Sequence, residues 1–207
     1  MTMKKINILL LGTVALFLGS CCEEDFNFDN NHHIRGHGII KTKNISVGDF
    51  SKIELENVAN VYITTDESVS VEITAYENIL NYLEAKVTDG ELELKTRDHY
   101  EVSSDKEIRV DITMPEINKV TLNGVGDFFI NGPEQEILNI DLNGVGNVNA
   151  FELPVYQGDV DINGTGNVKM QAKESLNVDI NGIGNVHYQG DPELSVNING
   201  FGNVVKY

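Results

Sequence analysis

The sequence predicts an all-β fold: a parallel β-helix, or solenoid, with coils of about 18–20 residues. A seven-residue motif recurs five times, as LNGVGDF at 122–128, LNGVGNV at 142–148, INGTGNV at 162–168, INGIGNV at 180–186 and INGFGNV at 198–204. Its first glycines, Gly124, Gly144, Gly164, Gly182 and Gly200, follow one another at two equal intervals and then two slightly shorter ones. Self-similarity at a short, near-constant period marks a solenoid. Apolar and polar residues also alternate before all five motifs and after the first four, which is the pattern of a strand with one buried face.

The strands before the motif carry Val120/Leu122, Ile140/Leu142, Val160/Ile162, Val178/Ile180 and Val196/Ile198 on their inner face. Those after it carry Phe128/Ile130, Val148/Ala150, Val168/Met170 and Val186/Tyr188. The corners between them are Asn123, Gly124 and Gly126; Asn143, Gly144 and Gly146; Asn163, Gly164 and Gly166; Asn181, Gly182 and Gly184; Asn199, Gly200 and Gly202. These residue types tolerate positive φ, so the chain can turn there without steric cost. Asn-Gly between alternating strands also opens antiparallel hairpins; the near-constant period and identical corners favour parallel coils. Stacked asparagines can then bond amide to amide along the axis. Each coil adds about 4.8 Å, so five make roughly 24 Å.

In chain order, the first segment reads as an address. Lys4 and Lys5 precede an apolar run from Ile6 to Leu18. As a helix it would span roughly 20 Å, short of a ~30 Å hydrocarbon core, so it reads as the core of an export signal covering residues 1–20. Leu18-Gly19-Ser20-Cys21 resembles the lipobox of bacterial lipoproteins. That resemblance implies cleavage before Cys21 and a lipid-bearing Cys21; Cys22 does not fit the pattern. Several acyl chains would anchor the protein to a membrane almost permanently. Residues 21–35 then form a lipidated acidic tether, whose His32 and His33 read as solvated rather than metal-binding. An acidic run in that place also resembles export signals that direct some lipoproteins to the cell surface.

The main domain spans 36–207. Strands are expected at Ile53–Glu56, Val61–Thr64, Val69–Thr74, Leu92–Lys95 and Ile108–Ile112, with a turn at Asp89-Gly90. Leu55–Val61 (LENVANV) reads as a degenerate first copy of the motif. Tyr76, Leu80 and Leu83 recur at helical spacing and predict a short helix over Glu77–Glu84.

Charge narrows the function. The chain has 15 Lys and Arg against 32 Asp and Glu, a net charge of −17, which disfavours a nucleic-acid partner. If coils stack in register, Asp141, Asp161 and Asp179 form an outward column. Neighbours ~4.8 Å apart then repel by about 0.9 kcal/mol in water and ~3.5 kcal/mol at an effective dielectric of 20. A solvated ladder is the simpler reading; a weak calcium or cationic-ligand site at these three residues is the sharper one. Residues 121–207 hold only Lys169, Lys173 and Lys206 as cations, too few for a lyase mechanism. His187 reads as a surface or edge histidine. The glycine motif is not a phosphate loop, since neither Lys-Ser/Thr nor a helix follows it. No enzyme activity and no cofactor are expected.

Lipobox, acidic tether and repeated Ile-Asn-Gly-x-Gly-Asn together resemble the family described as putative auto-transporter adhesin, head GIN domain, over about residues 36–207. The resemblance implies a right-handed β-helix, a role in adhesion and no catalytic residues. The expected protein is a non-enzymatic outer-membrane lipoprotein, surface-exposed, presenting its β-helix to a glycan or another cell-surface ligand. A carbohydrate-active enzyme on the same scaffold and a purely structural envelope protein are the alternatives.

Overall fold

A computed structural model describes residues 32–207. The expected export segment, Cys21 and the first part of the tether lie outside the described residues. Among the described residues there are strands, turns and bends but no helix. In chain order they are β1 (His32–Arg35), β2 (Ile40–Ile45), β3 (Lys52–Leu55), β4 (Asn60–Thr65), β5 (Ser70–Tyr76) and β6 (Leu83–Thr88). There follow β7 (Glu91–Thr96), β8 (Tyr100–Ser103), β9 (Arg109–Met114), β10 (Lys119–Leu122), β11 (Phe128–Asn131) and β12 (Gln135–Leu142). The last five are β13 (Val148–Ile162), β14 (Val168–Ile180), β15 (Val186–Gln189), β16 (Glu193–Ile198) and β17 (Val204–Lys206). The chain is all-β.

The strands before the repeated corners pair in parallel as one arm, β3–β10–β12–β13–β14–β16. Those after them form a second parallel arm, β4–β11–β13–β14–β15–β17. β13 and β14 are long enough to serve one arm with each half. Asp141 stands beside Asp161 and Asp161 beside Asp179, so the pairing repeats the spacing of the glycines. The corners meet too: Val58, Val125, Val145, Thr165, Ile183 and Phe201 bridge in parallel, one to the next. LENVANV takes part in this stack, with Leu55 beside Leu122 and Val61 beside Phe128. We call each strand–corner–strand unit a rung; the bridged corners define six among the described residues.

The sheet as a whole is mixed, not uniformly parallel, which corrects the expectation of parallel coils throughout. Between the first and second rungs the chain leaves to make β5–β9. β7 and β9 extend the two arms in parallel, but β5, β2 and β6 join antiparallel. The large sheet wraps, nearly closed and barrel-like, around a single core. The core follows from the alternation: Val120, Leu122, Ile140, Leu142, Val160, Ile162, Val178 and Ile180 are all buried, facing the other arm. Burying such side chains stabilises by about 1.5–3 kcal/mol each.

Two further expectations are corrected. Residues 77–84 are not a helix. Ile79 and Leu80 close a single turn onto the Tyr76 carbonyl, Tyr82 closes another onto Ile79, and Leu83 already starts β6. Tyr76, Ile79, Leu80 and Leu83 are buried, so their spacing reflects a plug packed on the core. So short a segment cannot repay the cost of nucleating a helix. In addition, the last residues of the expected tether are β1, paired in parallel with β8. His33 there shares a hydrogen bond with Ser103 and faces Glu101.

The glycines of the corners serve a purpose the turn reading missed. Gly124, Gly144, Gly164, Gly182 and Gly200 do not have positive φ. A Cβ on Gly164 would instead collide with the Gly144 carbonyl oxygen of the rung beneath, and Gly144 meets Gly124 in the same way. Only at the second glycine does conformation add to this, as at Gly146 with φ 152°. In the first rung Asn57 and Ala59 replace the two glycines. Ala59 borders a pocket of about 360 Å³ that is also lined by Val102 and Ile108.

Candidate binding face along the asparagine corners

Two amide ladders run up the corner edge. In the first, Asn143 donates from Nδ2 to Asn123 Oδ1 at 2.9 Å, and Asn163, Asn181 and Asn199 continue the chain. It starts at Asn123, which donates to Glu54. In the second, each side-chain oxygen takes two bonds from the next rung. Asn147 Oδ1 accepts from the backbone N–H of Asn167 at 3.1 Å and from its amide at 3.1 Å. Asn185 and Asn203 repeat the pattern, Asp127 takes two bonds from Asn147 in the same way, and Asn60 opens the ladder by accepting the backbone N–H of Asp127 at 3.0 Å. An aspartate suffices at 127 because its side chain has only to accept. Between the ladders runs the exposed apolar ridge of Val58, Val125, Val145, Ile183 and Phe201, broken by Thr165.

Beside the second ladder, the outer surface of the second arm carries Asp111, Tyr62, Phe129, Asn149, Lys169, His187 and Val205 in one row. Tyr62 and Phe129 stack with centroids 4.8 Å apart. The Arg109 guanidinium lies 3.5 Å from the centre of the Tyr62 ring and is held by both oxygens of Asp111. Higher up, Lys169 sits 5.9 Å from the Phe151 ring and His187 meets Tyr207 edge-on at 6.5 Å. The ladder and this row enclose a groove of about 400 Å³, walled by Asp127, Asn147 and Asn167 on one side and by Phe129, Asn149, Lys169 and His187 on the other.

The opposite arm is acidic. Asp141, Asp161 and Asp179 stand in the expected outward column, followed by Asn197. Its ends are compensated: Lys119 pairs with Asp141 at 2.5 Å, and Asn197 donates to Asp179 at 2.7 Å. Asp161, in the middle, is left with Asp159, Asp141 and Asp179 around it. Partial burial and these like charges push its carboxyl above the ordinary 3.8. Glu54 is raised in the same way, by burial and by Glu56, Glu91 and Glu93. Among the described residues no group of three or more His, Cys, Asp or Glu is gathered to hold a metal ion.

The family described as putative auto-transporter adhesin, head GIN domain, matches residues 49–137 and 134–192, together well over half of the sequence. The chain belongs to this family. Among solved structures, a putative adhesin from Bacteroides fragilis is similar with a TM-score of 0.58 at 22% identity, over 84% of this chain and 100% of that one. At that identity the likeness concerns the head GIN fold alone. A putative adhesin from Parabacteroides merdae gives a TM-score of 0.44 at 19% identity, covering 84% of this chain and 99% of that one. A putative lipid binding protein from Parabacteroides distasonis gives 0.42 at 18%, covering 85% and 100%. No curated protein matches the chain.

The fifteen predicted corner residues come together on one edge, and the three aspartates on one face. The groove residues Phe129, Asn149 and Lys169 escaped sequence reasoning. Each occupies the second outward position after its corner, a signal visible only once the repeats are aligned. His187, expected at a surface or edge, proves half-buried in that row.

Proposed function

We propose that this head GIN protein is a non-enzymatic binding module of the cell envelope that holds an extended, acceptor-rich polymer, a glycan by its chemistry, in the groove beside the second ladder. The observation that carries this is the ladder's unused hydrogens. Each side-chain amide has two N–H donors and spends one on the rung below. The other is left over at Asn147, Asn167, Asn185 and Asn203, one rung or about 4.8 Å apart, while Asp127 contributes none. Lys169 adds a cationic donor, and Phe129 offers a flat apolar face to a sugar ring. Pockets of ligand-binding size fall at about 300–1,000 Å³, and the groove falls within that range.

The scaffold beneath is, in our reading, a right-handed parallel β-helix with coils of about 18–20 residues. The parallel registers and the stacked corners support the coils; the right hand is what the family resemblance supplies. Lipidation at Cys21 and exposure on the outer membrane complete the reading. Membership in a family of adhesins supports an envelope or surface location, and the lipobox and acidic run support the anchor.

The test is a glycan array probed with the purified protein and with Phe129→Ala and Lys169→Ala. Binding without turnover that falls at least tenfold in either variant would support the proposal. Release of a cleaved sugar product would establish the enzyme alternative, and the absence of any glycan signal would remove the ligand class. For the anchor, Cys21→Ser should abolish incorporation of labelled fatty acid, and protease added to intact cells should degrade the wild-type domain.

A further inference from the structure

The C-terminal rung differs from the others in a way the binding face does not explain. In β14, Leu176, Val178 and Ile180 are buried, at 0%, 1% and 0% exposure. Their partners one rung up, Leu194, Val196 and Ile198, have the same inward register but are 40%, 42% and 41% exposed. β16 pairs only with β14, and β17 only with β15. The outer backbone edge of the last rung therefore bonds to no strand among the described residues. Unpaired edges invite pairing with another chain, and proteins usually blunt them with charge, above all lysine.

The other end of the sheet is blunted in that way. Its edge strands are β2, which carries Lys41 and Lys43, and β6, which carries Glu84 and Lys86. The last rung is not blunted. Within a chain of net charge −17, β16 has one charge, Glu193 at its first residue, and β17 one, Lys206 at its last. Lys206 is itself paired with Asp191. The outward column that bears Asp141, Asp161 and Asp179 also turns neutral at this rung, where it continues as Asn197. Residues 194–205 thus carry no charge where a second acidic chain would otherwise be repelled.

We propose that the C-terminal rung is a docking surface for a second copy of this chain, end against end about a two-fold axis. Head-to-tail stacking is blocked, because the other end presents charged antiparallel strands in place of an open rung. The contact must therefore be isologous, the same surface on both copies. β16 then meets β16 of the second copy antiparallel. Only the register that sets Val196 opposite Val196 brings all three apolar side chains against apolar ones, with Leu194 opposite Ile198. Ser195 then faces Asn197, and no like charges oppose.

Sedimentation velocity of the full chain, in a detergent that keeps its N-terminal apolar segment dispersed, should give the mass of two protomers. Val196→Lys should return one, whereas Val145→Lys, on the exposed corner ridge, should leave two. Val196→Cys gives a reading that does not depend on tolerating a lysine. Mild oxidation should produce a proteolytic fragment in which two copies of residue 196 are joined by a disulfide. A wild-type chain that stays a single protomer at its highest soluble concentration would overturn the proposal. So would a dimer that survives Val196→Lys in folded protein, or oxidised Val196→Cys linked only through Cys21 or Cys22.

Discussion

Gly164 shows what the corner asks of a residue. Its φ would admit any amino acid, yet a Cβ would enter the Gly144 carbonyl of the rung below. Gly164→Ala should therefore lower stability by about 3 kcal/mol or more, and Gly164→Val by more again, because backbone cannot move aside as a side chain can. Gly48 has no atom within 4 Å of the equivalent position and no positive φ, so Gly48→Ala should leave the urea midpoint unchanged or slightly raised. The two ladders separate in the same assay. The Asn163 side chain makes only amide-to-amide bonds, and Asn163→Ala should cost about 0.5–1.5 kcal/mol. Asn167 also accepts the backbone N–H of Asn185, so Asn167→Ala orphans a main-chain donor and should cost about 1–3 kcal/mol. The identity of the corner residues was legible in the sequence. The reason for glycine was not, because it lies in the neighbouring rung, a full repeat away along the chain.

At the scale of elements, the acidic arm responds to pH through Asp161 and Glu54. Asp161 holds its proton more tightly in the folded chain than its ordinary value of 3.8 would allow. From that value upward to its raised folded value, the folded state binds more protons than the unfolded one, so stability falls as pH rises through the window. Glu54 acts in the same direction from 4.5 upward. Asp161→Asn should thus be stabilising at neutral pH and should flatten this slope, read as urea midpoints across the acid range. The strands of both arms could be found by alternation alone, down to β3, β4 and β9 in the less regular half. The segment 77–84 could not. Buried residues at helical spacing look alike whether they line a helix or plug a turn, and only the packing of Tyr76 and Ile79 on the core distinguishes them. The antiparallel joining of β2, β5 and β6 was equally hidden, since period two is the same in either direction.

For the molecule as a whole, the repeat carried most of the information. A single sequence period set the stack, the corner edge and the aspartate column. The groove depended on long-range alignment, with Phe129, Asn149, Lys169 and His187 brought into one row from four different rungs. The binding face stands on that stack, and a distance along it is the direct test. Spin labels at Val58→Cys and Ile183→Cys, with Cys21 and Cys22 replaced by serine and labelled chains diluted in unlabelled ones, report on corners four rungs apart. Stacked corners predict a single narrow distance of roughly 19 Å plus label linkers, four steps of about 4.8 Å. A broad distribution, or one centred far from that value, would contradict the stacked corners and remove the ladder on which the binding face is built.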